Sequence, residues 1–596
     1  MVSNSAIKLS IPRQNLHRFS LFELDADSAN EWAQSLPVTN TRSVVQQLRH
    51  ALSDLNHVML APELRYHIME SLRPKLDVAL SNLSKRFLNQ PLVMPEEPRQ
   101  MAEVADSLYT MTRTAYTIVA LQAIEQRESI RETNPARLTC EATQRALMYA
   151  GRRILQSYQL YGPIELRAWE NLHQLYCLAL EQGLENLPVS EPLDGGETVI
   201  ATYLQALMLG CGKPNQMRQN DLGAYYRGLR DWSDCITLEA PPSGKGLFLV
   251  DLDSDKPPVY SWLYNEEPGP NCRLIDTLPL TERLEQLKTS VGKQGIIFDK
   301  DTSMPVNILD HLIASLGSMS LRNFNRASSD NSLTICFGLS STHFHISGER
   351  PFGRLMYGDD YVPPPADPVL TNPFLQSSDT AGNSQQALAQ EDAEHPGELD
   401  DDALVELLQE ENSHLPPEQL YPVYEVPLAD ASPGGYCLEW AAEIPGHIKT
   451  GDIVGLKEAQ NKDWMIGVIR WVSHSEDDKA FIGLELLSPR AMPYGACIHH
   501  KTGEQTAPMR ALLLPEIKLV GQPHTLVTPR AGFRERQKVT LLSRGEEFFI
   551  QLLRQVNSTG SFAQFDFHYI KQAGEMATED KSWPLEAAYD SMWNNI

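Results

Sequence analysis

The residues best suited to chemistry in this chain are a six-residue run, Asp430-Ala-Ser432-Pro-Gly434-Gly435, and two spaced arginine pairs, Arg350-Pro-Phe-Gly-Arg354 and Arg530-Ala-Gly-Phe-Arg534. A carboxylate accepts N–H bonds, a hydroxyl both donates and accepts, and glycine lets the backbone approach a flat ligand closely. Paired guanidiniums offer bidentate forks to phosphate oxygens. Plainer readings stand beside these: a strand-entry turn in which Ser and Gly serve backbone geometry, and solvated loop ends for both arginine pairs. His343-Phe-His345, read as a strand, would put two imidazoles on one face, but no carboxylate or cysteine set joins them, and no metal centre is expected. No nucleophile elbow and no acid–base constellation stands out, so the expectation is a protein without catalytic residues.

Positioning these groups falls to a strand-rich stretch over 420–490. Tyr421-Pro-Val-Tyr-Glu-Val426 alternates as a half-buried strand does, and the Asp430 run turns into a second strand ending near Trp440. An apolar run over 448–456 is broken by Gly451-Asp452, and 464–472 and 481–487 read as two more strands joined by a polar connection. Short strands at this spacing, without helical periodicity between them, predict a small antiparallel barrel.

The run Asp430-x-Ser432-x-x-Gly435, followed in order by Gly467-Val-Ile-Arg-Trp471 and Ile482-Gly-Leu-Glu-Leu486, resembles the PilZ domain, a bacterial receptor module for cyclic di-GMP, over about 70 of the 596 residues. The resemblance implies cyclic di-GMP as ligand, held by Asp430, Ser432 and Gly435. It also implies an Arg-x-x-x-Arg pair on the segment leading into the barrel, clamping phosphates and the guanine edge. No Arg or Lys lies between Arg354 and Lys449. The candidates for the clamp are therefore Arg350 with Arg354, upstream, and Arg530 with Arg534, downstream and ahead of a degraded signature, Asn557-Ser-Thr-Gly-Ser561.

Composition narrows the partners. A formal net charge of −26 argues against a general nucleic-acid binder and against an anionic-membrane binder, both of which need basic surface. A small anionic ligand stays open, because local arginines can dominate a pocket. Much of the imbalance is concentrated, since residues 359–413 hold fourteen Asp and Glu and no Lys or Arg. Eight scattered cysteines without a Cys-x-x-Cys pair read as free thiols of a reducing compartment. No apolar run reaches the ~20 residues of a membrane span. The expected location is cytoplasmic, without membrane insertion.

Hydrophobic periodicity divides the rest. Apolar residues recur at three and four positions over 43–55, 62–87, 100–127 and 139–158, predicting an all-α bundle or helix-pair array over 1–240. Gly183 is the expected stop of a helix over 166–184. Strands and helices alternate over 241–358, an α+β region. An acidic, Pro-rich flexible tether is expected over 359–417, with 403–408 able to form a short helix on docking. The PilZ-like barrel takes 418–500, a second β unit 501–573, and a polar tail 574–596. The function expected from this organisation is a non-enzymatic cyclic di-GMP effector that works through a protein partner on its helical region, with an adaptor carrying a degenerate barrel as the alternative.

Overall fold

In a computed structural model of the chain, the described residues are 7–37, 40–90, 94–131, 133–190, 193–241, 246–264, 266–291, 295–298, 302–317, 327–328, 332–358, 361, 416–432, 435–440, 448–458, 463–474, 479–500, 505–516 and 523–570. The tether expected over 359–417 falls almost wholly outside this set, as does the polar tail. Packing divides the chain into two compact units. One is Met1–Asp330 with Pro427–Thr450 and Ile469–Leu484; the other is Asn331–Val426 with Gly451–Val468 and Glu485–Ile596.

The first unit is built on eight helices: α1 (Ala26–Ser35), α2 (Thr41–His57), α3 (Pro62–Phe87), α4 (Glu96–Glu125), α5 (Pro135–Gln159), α6 (Ala168–Gln182), α7 (Val199–Cys211) and α8 (Gln219–Trp232). An amphipathic surface helix hides one stripe; α5 instead buries every residue from Leu138 to Gly151, which marks it as the central rod of the bundle. It packs against α4, α6, α7 and α8. Gly151 is what permits the closest of these approaches, because a Cβ there would sit 2.7 Å from the Tyr226 hydroxyl and 2.9 Å from Ala206 Cβ. A satisfied polar seam runs between α3 and its neighbours. Tyr66 Oη donates to Glu141 Oε2 (2.9 Å), Tyr116 Oη to Glu70 Oε1 (2.6 Å), and Tyr149 Oη to Asp77 Oδ1 (2.9 Å). Helix α6 ends at Gly183, in the left-handed region at φ 65° as its position in the sequence predicts. His173 on α6 is fully buried between Tyr203 Oη and the Lys256 carbonyl, and burial pushes its imidazole down to about 4.

The α+β region follows as β1 (Thr237–Glu239), β2 (Phe248–Asp251), β3 (Val259–Tyr260) and β4 (Cys272–Asp276), in sheet order β1-β4-β2-β3. Helices α9 (Leu278–Val291) and α10 (Val306–Gly317) follow, with the small ladder of β5 (Ile296–Ile297) and β6 (Ser303–Met304) between them. The apolar core of all these elements is one continuous cluster with that of the bundle.

Thirteen further strands and three short helices complete the chain's described elements. After β7 (Ala327–Ser328) and β8 (Ser332–Phe337) come α11 (Gly338–Ile346), α12 (Phe352–Tyr357) and α13 (Pro417–Leu420). Then β9 (Tyr424–Ser432), β10 (Gly435–Trp440), β11 (Ile453–Glu458), β12 (Met465–His474) and β13 (Ala480–Ser488) run in order. With β8 they form the sheet β10-β13-β12-β11-β8-β9, which closes because β9 also pairs with β10. The expected barrel is therefore present, with a first strand, β8, that sequence order had grouped with the α+β region. A second closed barrel, β14 (Met492–Ile498), β15 (Met509–Leu514), β16 (Thr525–Pro529), β17 (Lys538–Ser543), β18 (Glu546–Ser558) and β19 (Phe562–Tyr569), takes the order β14-β15-β16-β19-β18-β17. Numbered within each barrel, both rings read 1-2-3-6-5-4.

One expectation is corrected here. His343-Phe-His345-Ile346 is not a strand but the second half of α11, which opens at Gly338 with φ 84°. Nor is the pair on the surface. His343 is fully buried: Arg510 Nη1 donates to its Nδ1 (3.2 Å), and its Nε2 meets the Tyr494 carbonyl (3.1 Å). Burial first, and the Arg510 charge second, hold this imidazole well below its ordinary value. Four alternating residues are too few to separate a strand from one buried helical turn.

Candidate functional site

The hairpin that carries Asp430, Ser432 and Gly435 joins β9 to β10. Its register pairs Gly435 with Ser432, Tyr436 with Ala431 and Cys437 with Asp430, then shifts by a bulge before Leu438 meets Leu428. Pro433 and Gly434 lie outside the described residues. Asp430 is half-buried, whereas Gly435 and Cys437 are buried. Ser432 and Gly435 thus face each other across the ladder, and Asp430 stands two positions from Ser432 on the same strand. A carboxylate and a residue without a side chain lie at the end of this hairpin.

On its other edge, β9 is paired near this end by β7: Ser328 lies opposite Asp430 and Ala327 opposite Ala431. The residue before Ala327 is Arg326, the end of Arg322-Asn-Phe-Asn-Arg326. This Arg-x-x-x-Arg pair, not singled out above, leads directly into β8, the first barrel strand. Arg322 and Arg326 themselves lie outside the described residues. Its signal was legible, but only to a reader who starts the barrel at Ser332 and not at Tyr421.

Arg350 closes the turn after α11, where its N–H donates to Ser347 Oγ (3.2 Å), and Arg354 is exposed on α12. Helix α12 is seated on the second barrel: Gly545 N donates to the Met356 carbonyl (2.7 Å) and Arg544 N to the Leu355 carbonyl (2.6 Å). Arg530 and Arg534 are exposed on the connection between β16 and β17, and Arg534 N donates to Gln537 Oε1 (2.6 Å).

Within the first unit, barrel residues meet the helical region through main-chain atoms. Arg218 Nε donates to the Thr450 carbonyl (2.8 Å), and His474 N donates to the Tyr161 carbonyl (2.8 Å). Between these bonds lies a polar cleft of about 200 Å³, lined by Asn89, Tyr161, Arg218, Asp221 and Lys449 among others. Within the second unit the joint is different in kind. Ile453, Ile466 and Val468 share a dry core with Leu512, Leu514, Val527 and Phe562. The buried Arg510 guanidinium also lies over Phe352 (4.5 Å) and donates to Tyr421 Oη (3.0 Å). Among the described residues no cluster of three metal-ligating side chains occurs, and no helix is long and apolar enough to cross a membrane.

A six-strand ring of this order, whose second hairpin carries Asp-x-Ser-x-x-Gly, is a PilZ domain. Residues 247–493 match the family model described as "Cyclic-di-GMP receptor FimW, middle PilZ domain", residues 27–243 that of the FimW N-terminal domain, and residues 494–570 the "FimW C-terminal beta-barrel domain". The three follow one another along nearly the whole chain, which belongs to this family. It is 28% identical to the protein called "Cyclic-di-GMP receptor FimW" of Pseudomonas aeruginosa, over 99% of each chain. A solved structure described as "MrkH, A novel c-di-GMP dependence transcription regulatory factor" aligns at 8% identity over 29% of this chain and 79% of its own, with a TM-score of 0.13, too low to carry an argument.

Proposed function

We propose that this chain is a non-enzymatic, cytoplasmic receptor for cyclic di-GMP, holding the dinucleotide at the β9–β10 hairpin through Asp430, Ser432 and Gly435, with Arg322 and Arg326 as the clamp. One observation carries the reading: β7, the two residues that follow Arg326, pairs with β9 at Asp430 and Ala431. The residue that follows Arg326 in the chain therefore lies beside the strand that bears the signature. Arg350 and Arg354 come after that strand, and Arg530 and Arg534 sit between the third and fourth strands of the other barrel. The clamp accordingly moves from those four to Arg322 and Arg326. The name of the Pseudomonas aeruginosa relative supports the same ligand.

The chemistry asked of these residues is recognition, not bond-making. Guanidinium forks meet phosphate oxygens or the O6/N7 edge of guanine, the Asp430 carboxylate accepts guanine N–H groups, and Gly435 leaves room for the base. Charge-assisted bonds of this kind contribute about 1.5–3 kcal/mol each, so a −26 chain can still concentrate a small anion at one place. Output would pass along β10 toward the Thr450 contact with the helical region, which is the proposed side for a protein partner. A ligand shifts that contact only by as much as it prefers one arrangement.

Calorimetric titration of the full chain with cyclic di-GMP tests the reading. Saturable binding is expected, weakened by Arg326→Ala, Arg322→Ala or Asp430→Ala and unchanged by Arg350→Ala with Arg354→Ala. A flat titration of folded protein would leave the adaptor function in its place.

A further inference from the structure

The second barrel carries cations that make no ion pair among the described residues. In the helical region the arginines of the α3 and α5 seam are answered by carboxylates: Arg73 and Arg145 by Glu70, Arg152 by Asp77, Arg153 by Asp106. On the second barrel Arg530, Arg534, Arg536 and Lys538 are all exposed, and none makes an ion pair among the described residues. Apolar surface lies beside them. Lys538 is in register with Gln551 of β18, and two positions further along β18 stands Leu553, 44% exposed, followed by Val556 at 46%. Arg536 N donates to the Leu552 carbonyl (2.9 Å), which brings the β16–β17 connection against the same stretch of β18.

A surface of cations mixed with aliphatic side chains suits an anionic, aliphatic strand of chain, and this protein contains one. Asp400-Asp-Asp-Ala-Leu404-Val-Glu-Leu407-Leu408-Gln-Glu-Glu411 has six carboxylates, no cation, and leucines at i, i+3 and i+4. It lies outside the described residues. The chain leading to it leaves from α12, whose Leu355 and Met356 carbonyls are bonded to the β17–β18 turn of this same barrel, and returns at Tyr421, which Arg510 of β15 holds. Both ends are thus fixed to the barrel that carries these cations. A tether of this length has an r.m.s. reach of about 40 Å and gives its segments a roughly millimolar local concentration. Connectivity points the same way. The connection between third and fourth strands is, in the first barrel, the one whose Thr450 docks on Arg218. In the second barrel that same connection bears Arg530, Arg534 and Arg536.

We infer that residues 400–411 dock on the second barrel at Arg534, Arg536 and Lys538, with Leu404, Leu407 and Leu408 covering Leu553 and Val556. The contact is intramolecular and independent of the cyclic di-GMP reading.

Hydrogen–deuterium exchange on the full chain tests it. Amides of 403–408 should exchange about tenfold more slowly than in R534E/R536E/K538E, and the protection should disappear at about 0.5 M salt, where screening shortens charge attraction to a few ångströms. Combining that variant with D400K/D401K/D402K should restore the protection. The three cations are exposed, so β15 and β16 should stay as protected as in the parent, which separates lost docking from a lost fold. Exchange of 403–408 at the variant's rate in the parent protein would overturn the inference. So would protection that survives the charge reversal.

Discussion

The barrel of β8–β13 and the barrel of β14–β19 close in the same strand order, yet only the first places Asp-x-Ser-x-x-Gly on the hairpin between its second and third strands. The corresponding connection of the second runs Pro515-Glu-Ile-Lys-Leu-Val-Gly-Gln-Pro-His524, with neither the acid, the hydroxyl nor the spacing. The segment entering the first barrel holds Arg322 and Arg326. The one entering the second holds a single arginine, Arg490, which is spoken for by Asp463 (3.2 Å). A shared ring with different connections teaches that the ring is scaffold and the connections are function. The signature that carries the proposed nucleotide site is therefore found on the first ring alone.

That contrast can be tested from both sides. The largest effect is expected at Arg510→Ala, which strips partners from His343 and Tyr421 and empties a buried volume: about 3 kcal/mol of stability should be lost in urea unfolding. Cyclic di-GMP affinity in the still-folded protein should hold. Next, Arg326→Ala should weaken cyclic di-GMP by roughly 30–100-fold, the equivalent of one charge-assisted bond pair. Arg530→Ala with Arg534→Ala should leave the calorimetric isotherm unmoved, and a drop there would bring the second barrel into the site.

A pH experiment reports on both units. His173 in the first unit is neutral when folded, with its imidazole held at about 4, below the ordinary value of 6.5. The stability this contributes is complete above the unfolded value and is lost as pH falls from about 6.5 toward 4, amounting to roughly 2 kcal/mol at pH 5. His343 in the second unit acts in the same direction. The melting midpoint should fall between pH 8 and pH 5, and His173→Gln should flatten the fall. The smallest effect is expected at Asp430→Ala, about tenfold in affinity, because a carboxylate facing a ligand N–H at a half-exposed edge competes with water.

Much of this architecture was legible in the sequence. The span 62–87 is α3 to the residue, and 139–158 lies within α5, because apolar residues recur there at helical spacing for five turns or more. The later strands of the first barrel were legible for the same reason at period two. Strand β8 was not assigned to them, since 86 residues separate Phe337 from Tyr424. Pattern reading favours neighbours, whereas the entropy of closing a long loop grows only slowly with its length. Starting the barrel at Tyr421 directed the reading of arginines to Arg350 and Arg530, whereas a barrel that starts at Ser332 also brings Arg322 and Arg326 into consideration. His343 failed differently, because nothing in a four-residue alternation reveals that Arg510, 167 residues away, closes over it.

The helical region and the first barrel touch through bonds whose barrel side is main chain: the Thr450 carbonyl and the His474 amide. The two hydrogen bonds themselves therefore do not depend on which side chain stands at 450 or 474. In a saturation scan proline at 474, which removes the amide, should not be recovered, and position 450, where Thr450 is buried, should accept only residues of similar size. A search for the seam by residue identity alone would pass over it.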